Sequence, residues 1–295
     1  MNLEGLETHT TVSFDTALDQ DLLILNGEPA GEEVLDRVSS LLDRIRELAE
    51  IKTSAQVTSE NNFPTGTGIA SSASAFAALT LAAATALGLS LSEKELSQLA
   101  RTGSGSASRS IPGGFVEWQA GNDHDSSFAK TIAPPEHWDL VDLIILISQE
   151  HKKTGSSEGH RIADTSPFQE ARVVDAERRL DICRKALLEK DFQTLAEIVE
   201  LDSNMMHSVM MTSDPPLYYW QPGTLEIMAA VQTWRSEGLP VCFTIDAGPN
   251  LHLICPAEAS EAVKRKLGAF VNVKSLLTCI PGGPAHLLEP EITGV

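Results

Sequence analysis

The sequence predicts an α+β fold divided into two lobes. A length of 295 residues accommodates one large domain or two of ordinary size. The first half mixes strand patterns with two loops rich in glycine and serine, and the second half runs through helices to the order strand, turn, strand, helix, strand. Such a mixture is typical of α+β proteins. We therefore predict an N-terminal lobe over residues 1–150 and a C-terminal lobe over residues 151–295.

The first half contains one strand pattern and three helix patterns. The strand alternates apolar and polar residues, and the first helix repeats apolar residues at helical spacing. Ser92 and Glu95 form a capping box at the start of the third helix. The predicted elements are a strand over 8–14, a turn at 26–27, helices over 32–51, 70–87 and 92–100, and a loop of small residues over 103–114.

Proline and glycine delimit the elements of the second half. Pro222 starts one helix, Gly238 stops it, and Pro256 lies in the first turn of another. An apolar run over 140–148 is typical of a central strand. The predicted elements after it are helices over 167–188, 192–206 and 222–236, strands over 241–246 and 251–255, a helix over 256–267 and a strand over 276–280.

Composition excludes several functions. Lys and Arg number 22 against 41 Asp and Glu, which gives a net charge of −19 spread along the chain. That balance excludes a broad basic face for nucleic acid, and the longest apolar runs are shorter than a membrane span of about 20 residues. The four cysteines lack CxxC spacing, and no signal-peptide pattern opens the sequence. We expect a cytoplasmic protein with no nucleic-acid partner, membrane partner or zinc site.

The most distinctive motif is a glycine-rich segment over residues 64–73 that leads into a helix. Free N–H groups and the positive end of the helix dipole make such a start favourable for phosphate. Ser71 and Ser72 can add hydroxyl contacts to phosphate or Mg²⁺. The P-loop pattern GxxxxGK[ST] is absent. A tight turn that allows close helix packing is the alternative interpretation.

The second motif, residues 103–110, contains four serines and Arg109 among small residues. An arginine among hydroxyls is suited to a carboxylate or phosphate, which it can hold through two hydrogen bonds. A flexible loop with a solvated arginine is the alternative. A third motif, residues 152–157, directly follows a predicted strand with two lysines, a threonine and the hydroxyls of Ser156 and Ser157. It can bind an anion, or it is a basic surface turn.

The fourth motif is Asp246-Ala247-Gly248-Pro249-Asn250. Asp246 closes an apolar strand, where a half-buried carboxylate is well placed for catalysis. The same residues are also good turn formers, so a hairpin turn is the alternative. Together, the four motifs supply a nucleotide cradle, an arginine for a substrate anion and a placed carboxylate. That set fits phosphoryl transfer to a small acid.

The same segments resemble the GHMP kinase superfamily, in the form found in mevalonate diphosphate decarboxylases. Five blocks occur in the family's order and cover nearly the whole chain. They are residues 61–73, which resemble the ATP loop, residues 103–118, which resemble the substrate loop, Asp202-Ser203-Asn204 with His207, Pro215-Pro216, and residues 246–250. The resemblance implies a two-lobed GHMP kinase fold with an N-terminal ribosomal protein S5 domain 2-like lobe and a C-terminal ferredoxin-like lobe.

The resemblance also implies an activity. Such enzymes use ATP and Mg²⁺ to phosphorylate the tertiary 3-hydroxyl of 5-diphosphomevalonate, and loss of that phosphate with CO₂ gives isopentenyl diphosphate. Phosphorylation is needed because a tertiary hydroxide is a very poor leaving group. The expected small-molecule partners are the nucleotide and this phosphorylated mevalonate, and the family suggests a homodimer.

Residue roles follow from the same resemblance. Asp246 matches the catalytic aspartate beside the 3-hydroxyl, Arg109 matches the arginine that orients the substrate carboxylate, and Ser106 matches a catalytic hydroxyl. Ser104, Ser156 and Ser157 match substrate-binding positions, the last two at the 5-phosphate end. The implied ATP-binding residues are Gly66, Thr67, Gly68, Ala70, Ser71 and Ser72, of which Ser72 also contacts the metal.

One departure from the family leaves alternatives open. The family opens with a strand carrying a Lys-Tyr-Trp-Gly-Lys block that this sequence lacks. We expect an authentic start upstream of Met1, because the other site residues are present. The alternatives are a phosphomevalonate decarboxylase that makes isopentenyl phosphate, a 3-kinase that stops after phosphorylation, and a ligand-binding remnant without catalysis. Having both Arg109 and Asp246 argues against the 3-kinase.

Overall fold

A computed structural model describes residues 1–63, 71–148 and 156–288 of the chain. These residues form two compact units. The first contains residues 1–63, 71–137 and 281–288, and the second contains residues 138–148 and 156–280. In the described part of the chain, no helix is long and apolar enough to span a bilayer.

The first unit combines helices with a four-stranded and a two-stranded sheet. In the larger sheet the order is β2-β5-β3-β4, with β3 and β5 parallel and the other neighbours antiparallel, and β6 pairs with β7. The elements are β1 Leu3–Glu4, β2 Thr8–Phe14, β3 Leu22–Leu25, β4 Glu28–Pro29, α1 Glu32–Ala49, β5 Ala55–Asn61, α2 Ser71–Ala86, α3 Glu93–Gly103, a 3-10 helix Gly105–Ser110, β6 Phe115–Gln119, β7 Phe128–Ala133 and a 3-10 helix Pro135–His137.

The core of this unit is built between α1, α2 and the larger sheet. Leu42 and Ile45 of α1 are fully buried and pack in one cluster with Val57 of β5 and Phe76 of α2. Alanine dominates α2, so its backbone can approach its neighbours closely. At the α2–α3 contact, a Cβ on Gly103 would lie 2.2 Å from the Phe76 ring, so only glycine fits there.

The predictions for this half are largely confirmed. The strand over 8–14, the three helices and the capping box of Ser92 and Glu95 are present. The loop predicted over 103–114 is wrong, because residues 105–110 form a 3-10 helix in which Ser108 Oγ donates to the Gly105 carbonyl at 2.8 Å. Strand β5 was not predicted. Its sequence is mostly polar, and only its alternating burial shows that one face lies in the core.

The second unit is built on four antiparallel strands in the order β11-β8-β10-β9. Its elements are β8 Leu140–Leu146, α4 Ser156–Ile162, a 3-10 helix Ala163–Thr165, α5 Gln169–Val174, α6 Ala176–Glu189, α7 Phe192–Thr212, α8 Pro222–Ser236, β9 Cys242–Thr244, β10 Leu251–Pro256, α9 Ala257–Leu267 and β11 Ser275–Pro281.

Strand β8 is a central strand of this unit, as the apolar run predicted. Every residue of β8 is buried, and Leu143 lies opposite Leu253 of β10. Leu143 and Leu253 belong to one core cluster with Ile227 and Val231 of α8 and Val263 of α9. Because β8 packs in this core, the two units divide near residue 138, earlier than the boundary predicted at residue 150.

Three predicted elements of the second half need correction. The single helix over 167–188 is two helices, α5 and α6, separated at Asp175. Helix α7 continues to Thr212 rather than ending near residue 206. Pro256 ends strand β10 and caps α9 rather than lying in its first turn. The strands over 251–255 and 276–280 and the helix over 222–236 are confirmed.

Arg46 of α1 allows a test of the first unit's packing, because it binds one buried and one exposed carboxylate. Its Nη2 donates to Asp21, and both side chains are less than 10% exposed. Its Nη1 donates to Asp43, which is 67% exposed, at 2.6 Å. Asp21 also accepts from the buried backbone N–H of Ala55 at 2.8 Å.

We predict that Asp21→Ala lowers the free energy of unfolding by about 3–5 kcal/mol, because it leaves a buried charge without its main partner. Asp43→Ala is the matched control, and its cost should stay below about 1 kcal/mol because the lost contact is exposed. Denaturant unfolding of both variants measures the difference. Equal costs would mean that the burial of the Asp21 contact has no energetic importance.

Candidate active site

Three predicted site residues lie on or beside the 3-10 helix Gly105–Ser110. Ser104 is its N-cap residue, and Ser106 and Arg109 lie one turn apart within it. Arg109 Nη2 donates to Ser106 Oγ at 3.3 Å, and the guanidinium carbon lies 5.8 Å from the centre of the Trp118 ring. Arg109 is exposed. The guanidinium is thus oriented by the chain and remains accessible to an anion, as a two-bond grip on a carboxylate requires.

Buried hydroxyls fix this 3-10 helix to its neighbours. Ser97 Oγ of α3 donates to the Ser108 carbonyl at 3.0 Å and accepts from the Ala129 N–H of β7 at 2.8 Å. One hydroxyl therefore joins α3, the 3-10 helix and β7. A Cβ on Gly105 would lie 3.3 Å from the Trp118 ring, so glycine lets that ring pack against the helix start.

The N-terminus of α2 lies beside the same helix. Ser72 Oγ is 3.5 Å from Ser104 Oγ, and Ser71 and Ser72 form the first residues of α2. The first turn contains no acidic residue, so its N–H groups and dipole favour an anion. The rest of the predicted nucleotide loop, Gly66, Thr67, Gly68 and Ala70, lies outside the described residues.

This arrangement fits the expected nucleotide and its metal ion. Hydroxyls and N–H groups at a helix start suit a triphosphate. Mg²⁺ is usually held by few protein ligands together with phosphate oxygens and water. Within residues 1–63, 71–148 and 156–288, no group of three or more His, Cys, Asp or Glu side chains could hold a metal ion by itself. The Ser72 hydroxyl at this helix start is an oxygen ligand of the kind that suits Mg²⁺ beside phosphate oxygens.

Ser156 and Ser157 begin helix α4, and their side chains lie outside the described part of the chain. The lysines, Thr154 and Gly155 of the same motif lie outside it too. The predicted anion site at the end of β8 therefore remains a prediction.

Asp246 follows strand β9 by two residues and is exposed. The expectation of a half-buried carboxylate that closes the strand is therefore wrong. Strand β9 ends at Thr244, and the N–H and carbonyl of the next residue, Ile245, bond to side chains of α7. The segment still joins two antiparallel strands, as the hairpin interpretation predicted. The carboxylate is accessible to a ligand, as a catalytic group must be.

Hydrogen bonds hold the turn after Asp246 at its C-terminal end, which we call the far end. Asn250 is 2% exposed, and its Oδ1 accepts from the N–H groups of Ile147 and Ser148 at 2.8 and 3.1 Å. Its Nδ2 donates to the Ser148 carbonyl at 3.1 Å. Thr224 Oγ1 of α8 donates to the Pro249 carbonyl at 2.7 Å. The turn is therefore tied both to the end of β8 and to the start of α8.

The near end of the turn is held by four side chains that we call the side-chain ladder: Arg235 of α8 with Glu200, Ser203 and His207 of α7. Arg235 Nη1 donates to the Val241 carbonyl at 3.0 Å, and Glu200 Oε1 accepts from the Phe243 N–H at 3.2 Å. Ser203 Oγ accepts from the Ile245 N–H at 3.0 Å and donates to its carbonyl at 3.2 Å. His207 Nε2 lies 3.2 Å from the same carbonyl.

Burial sets the charge states within this ladder. Burial lowers the pKa of His207 to about 4, against smaller opposing effects of the Ile245 carbonyl and Asp246. His207 is therefore neutral at pH 7, and its Nε2–H donates to the carbonyl. Its ring lies 4.8 Å from the Trp220 ring and 5.9 Å from the Tyr219 ring, centre to centre. The hydrogen bond to Glu200 raises the pKa of Arg235 and keeps it charged.

The structure thus brings Ser72, Ser104, Ser106 and Arg109 together in the first unit. Asp246 belongs to the second unit, where it is exposed. Sequence reasoning gave no role to Ser97, Asn250 or the side-chain ladder. A signal for the ladder did exist, because Glu200, Ser203 and His207 recur at helical spacing along an otherwise apolar face of α7.

Two family models match the chain. The diphosphomevalonate decarboxylase-like N-terminal domain matches residues 1–129, and the mevalonate 5-diphosphate decarboxylase C-terminal domain matches residues 142–286. The diphosphomevalonate decarboxylase of Candida albicans is 38% identical over 278 residues, covering 85% of this chain and 73% of the relative. The phosphomevalonate decarboxylase of Haloferax volcanii is 32% identical over 284 residues, covering 96% and 86%.

Solved structures agree with these matches. The mevalonate diphosphate decarboxylase of Enterococcus faecalis has a TM-score of 0.88 at 39% identity, with 96% of this chain and 86% of that chain covered. A complex of MDDEF with MVAPP, AMPPCP and magnesium has a TM-score of 0.89 at 40% identity over the same shares. The predicted GHMP kinase fold is thereby confirmed.

The pKa of His207 leads to a pH-dependence prediction. In the unfolded chain this group titrates near 6.5, and in the folded chain near 4. Between these values the unfolded state binds more protons, so stability falls as the pH falls from about 6.5 to about 4. At about 1.4 kcal/mol per pKa unit, the loss by pH 4 is about 3 kcal/mol.

Denaturant unfolding across this pH range, on the unmodified chain and on His207→Gln, measures the effect. The variant should be less sensitive to acid by about 3 kcal/mol, because it has no ring to protonate. The exposed His160→Gln is the control and should change the slope little. The same acid sensitivity in His207→Gln and the unmodified chain would contradict the prediction.

Proposed function

The chain belongs to the diphosphomevalonate decarboxylase family, and we propose that it converts 5-diphosphomevalonate and ATP into isopentenyl diphosphate, ADP, phosphate and CO₂. One structural observation supports this most strongly. The 3.5 Å approach of Ser72 and Ser104 joins a helix N-terminus suited to phosphates to the 3-10 helix that carries Arg109. The helix start that we propose for phosphate and the arginine that we propose for the carboxylate are thus on neighbouring elements of one unit.

The chain's own residues have separate tasks in this reaction. Ser71, Ser72 and the preceding glycine-rich segment would bind the triphosphate, and the Ser72 hydroxyl would be a ligand of Mg²⁺. When bound, ATP supplies the phosphoryl group, and Mg²⁺ neutralises charge that develops on its oxygens. Ser104 and Ser106 contact the substrate near the group transferred. Ser156 and Ser157 bind the 5-phosphate end. Positioning of this kind is the main contribution a protein makes to phosphoryl transfer.

Asp246 and Arg109 act on different groups of the substrate, Asp246 on the 3-hydroxyl and Arg109 on the carboxylate. Asp246 accepts the proton of the 3-hydroxyl as the hydroxyl oxygen bonds to the γ-phosphorus of ATP, and the bond between that phosphorus and ADP breaks. Arg109 holds the substrate carboxylate in line while the C3–O bond breaks. The electrons of the bond between the carboxylate carbon and C2 then form the C2–C3 double bond, and CO₂ and phosphate leave. An exposed Asp246 and an exposed, oriented Arg109 agree with these tasks.

A phosphomevalonate decarboxylase is the second candidate. The Haloferax volcanii relative with that activity in its name is matched over 86% of its length, against 73% for the Candida albicans relative. The two substrates differ by one phosphate. Release of ADP and CO₂ with each substrate, compared as kcat/KM, decides between the candidates. We expect the diphosphate to be preferred and both products to form in equal amounts, whereas ADP without CO₂ would identify a 3-kinase.

We further propose that the enzyme works in the cytoplasm as a homodimer. The family resemblance supports this assembly, and the cysteine pattern supports a reducing compartment. Light scattering on the purified protein tests the assembly, and a mass near 31.7 kDa would show a monomer instead.

For Arg109 we predict that the Lys substitution lowers kcat and raises KM for the mevalonate substrate. Lysine cannot reproduce a planar two-bond grip on a carboxylate. The loss should be about 2–4 kcal/mol, or roughly 30- to 1000-fold in kcat/KM. Arg44→Lys, at an exposed position of α1 with no assigned role, is the matched control. Unchanged kinetics in Arg109→Lys would place Arg109 outside the site.

For Asp246 we predict that the Asn substitution keeps nucleotide binding and lowers turnover by about 10²–10⁴-fold, the usual scale for loss of a general base. ADP and CO₂ release should fall together, because decarboxylation waits for phosphorylation. Asp181→Asn, a 62% exposed aspartate of the same unit, is the control and should keep full activity. A fall in melting temperature of Asp246→Asn matching its loss of activity would show a structural turn residue instead.

A further inference from the structure

The side-chain ladder meets the peptide bond that precedes the proposed catalytic aspartate. Ser203 binds both backbone groups of Ile245, and His207 binds its carbonyl a second time. We propose that Ser203 and His207 are positioning residues that set the direction of the Asp246 carboxylate. The expected effect on turnover rests on the proposed function. The orientation of the Asp246 carboxylate by Ser203 and His207 does not depend on that function.

The geometry follows from the planarity of the peptide group. The Ile245 carbonyl and the Asp246 N–H belong to one rigid plane. Two donors on that carbonyl, both from α7, therefore fix the plane from which Asp246 extends. The plane has no strand beside it on this side, because β9 is the edge strand and ends at Thr244.

His207 is well suited to this task because it cannot easily move or change charge. It is 1% exposed and lies against the rings of Tyr219 and Trp220. The charged or titratable groups that face it are Asp246 from the turn and Tyr219 from the segment before α8. A neutral ring in this position keeps one N–H for the Ile245 carbonyl at working pH.

The position of Asp246 itself shows why such support matters. The residue is exposed and lies outside the strand, so the hydrogen bonds of the sheet do not orient it. A misplacement on the order of 1 Å in a reacting group can cost about 100-fold in rate. Asn250 and Thr224 hold the far end of the turn, and Ser203 and His207 hold the Ile245 peptide group at its near end.

Three substitutions and one control test the inference kinetically. Ser203→Ala and His207→Phe remove the contacts to Ile245 with little change of volume, and His207→Gln keeps a nitrogen donor at similar reach. Ile198→Ala is the control, because Ile198 is a 6% exposed residue of the same helix whose side chain can make no hydrogen bond to the turn. We expect kcat to fall about 10- to 100-fold in Ser203→Ala and His207→Phe. KM for ATP should stay within about threefold, and His207→Gln should restore kcat to within about threefold of the unmodified enzyme.

Ser203→Ala keeps the inference testable if His207→Phe does not fold. A kcat within about threefold of the unmodified enzyme in Ser203→Ala, or an equal loss in Ile198→Ala, would overturn it.

A crystal structure of each variant separates this inference from the proposed function. The Asp246 carboxylate should be displaced by roughly 1 Å in Ser203→Ala or His207→Phe and should keep its place in His207→Gln and Ile198→Ala. If the unmodified chain releases neither ADP nor CO₂, the proposed function fails. The inference is then decided by the position of the Asp246 carboxylate in the variant structures alone. An unmoved Asp246 in both Ser203→Ala and His207→Phe would overturn it.

Discussion

The hydrogen bonds between α7 side chains and the backbone of β9 are the contacts on which the second unit's site depends. An edge strand leaves a row of N–H and carbonyl groups unpaired, and buried groups of this kind must find partners. Here the partners are Glu200, Ser203 and His207 of α7, with Arg235 of α8 at the other end. On this side of β9, side chains of α7 therefore bind the backbone groups that a neighbouring strand would otherwise bind.

The same contacts bind the chain on both sides of the strand end. Phe243 lies within β9 and Ile245 just beyond it, and the N–H groups of both are bound by α7 side chains. The chain then leaves the sheet, with Asp246 exposed, and turns toward Asn250. The cost is a set of buried polar groups, which are stable only because they pair with one another. Glu200, for example, is 6% exposed and binds Arg235 at 2.5 and 2.7 Å.

In the first unit, too, side-chain hydroxyls bind backbone groups. Ser97 and Ser108 bind the backbone around the 3-10 helix, so a segment of small, mostly polar residues is ordered without a core of its own. The predicted loop over 103–114 missed this, because hydroxyl-to-backbone bonds depend on which element lies alongside. The residue types were still informative, since Arg109 and Ser106 do lie together. The predictions for α1, α2, α3 and β8 succeeded because their apolar spacing or capping residues are local properties of the sequence.

Nonlocal features were beyond sequence reasoning. Strand β5 is polar at most positions and becomes a strand because β2 and β3 pair with it on either side. The contacts that bind the Ile245 backbone beside Asp246 come from α7, some 40 residues earlier in the chain, and no spacing around Asp246 encodes them. Family resemblance identified the catalytic candidates, and the structure adds the contacts that orient them.

Native-state amide hydrogen exchange at Phe243 and Ile245 tests whether α7 holds the edge of β9, because these two N–H groups point away from β10 and toward α7. If Glu200 and Ser203 bind them, both should exchange as slowly as amides within β10, which lies between two strands. Exchange at the rate of an unprotected edge amide would mean that α7 does not hold the strand that leads to Asp246.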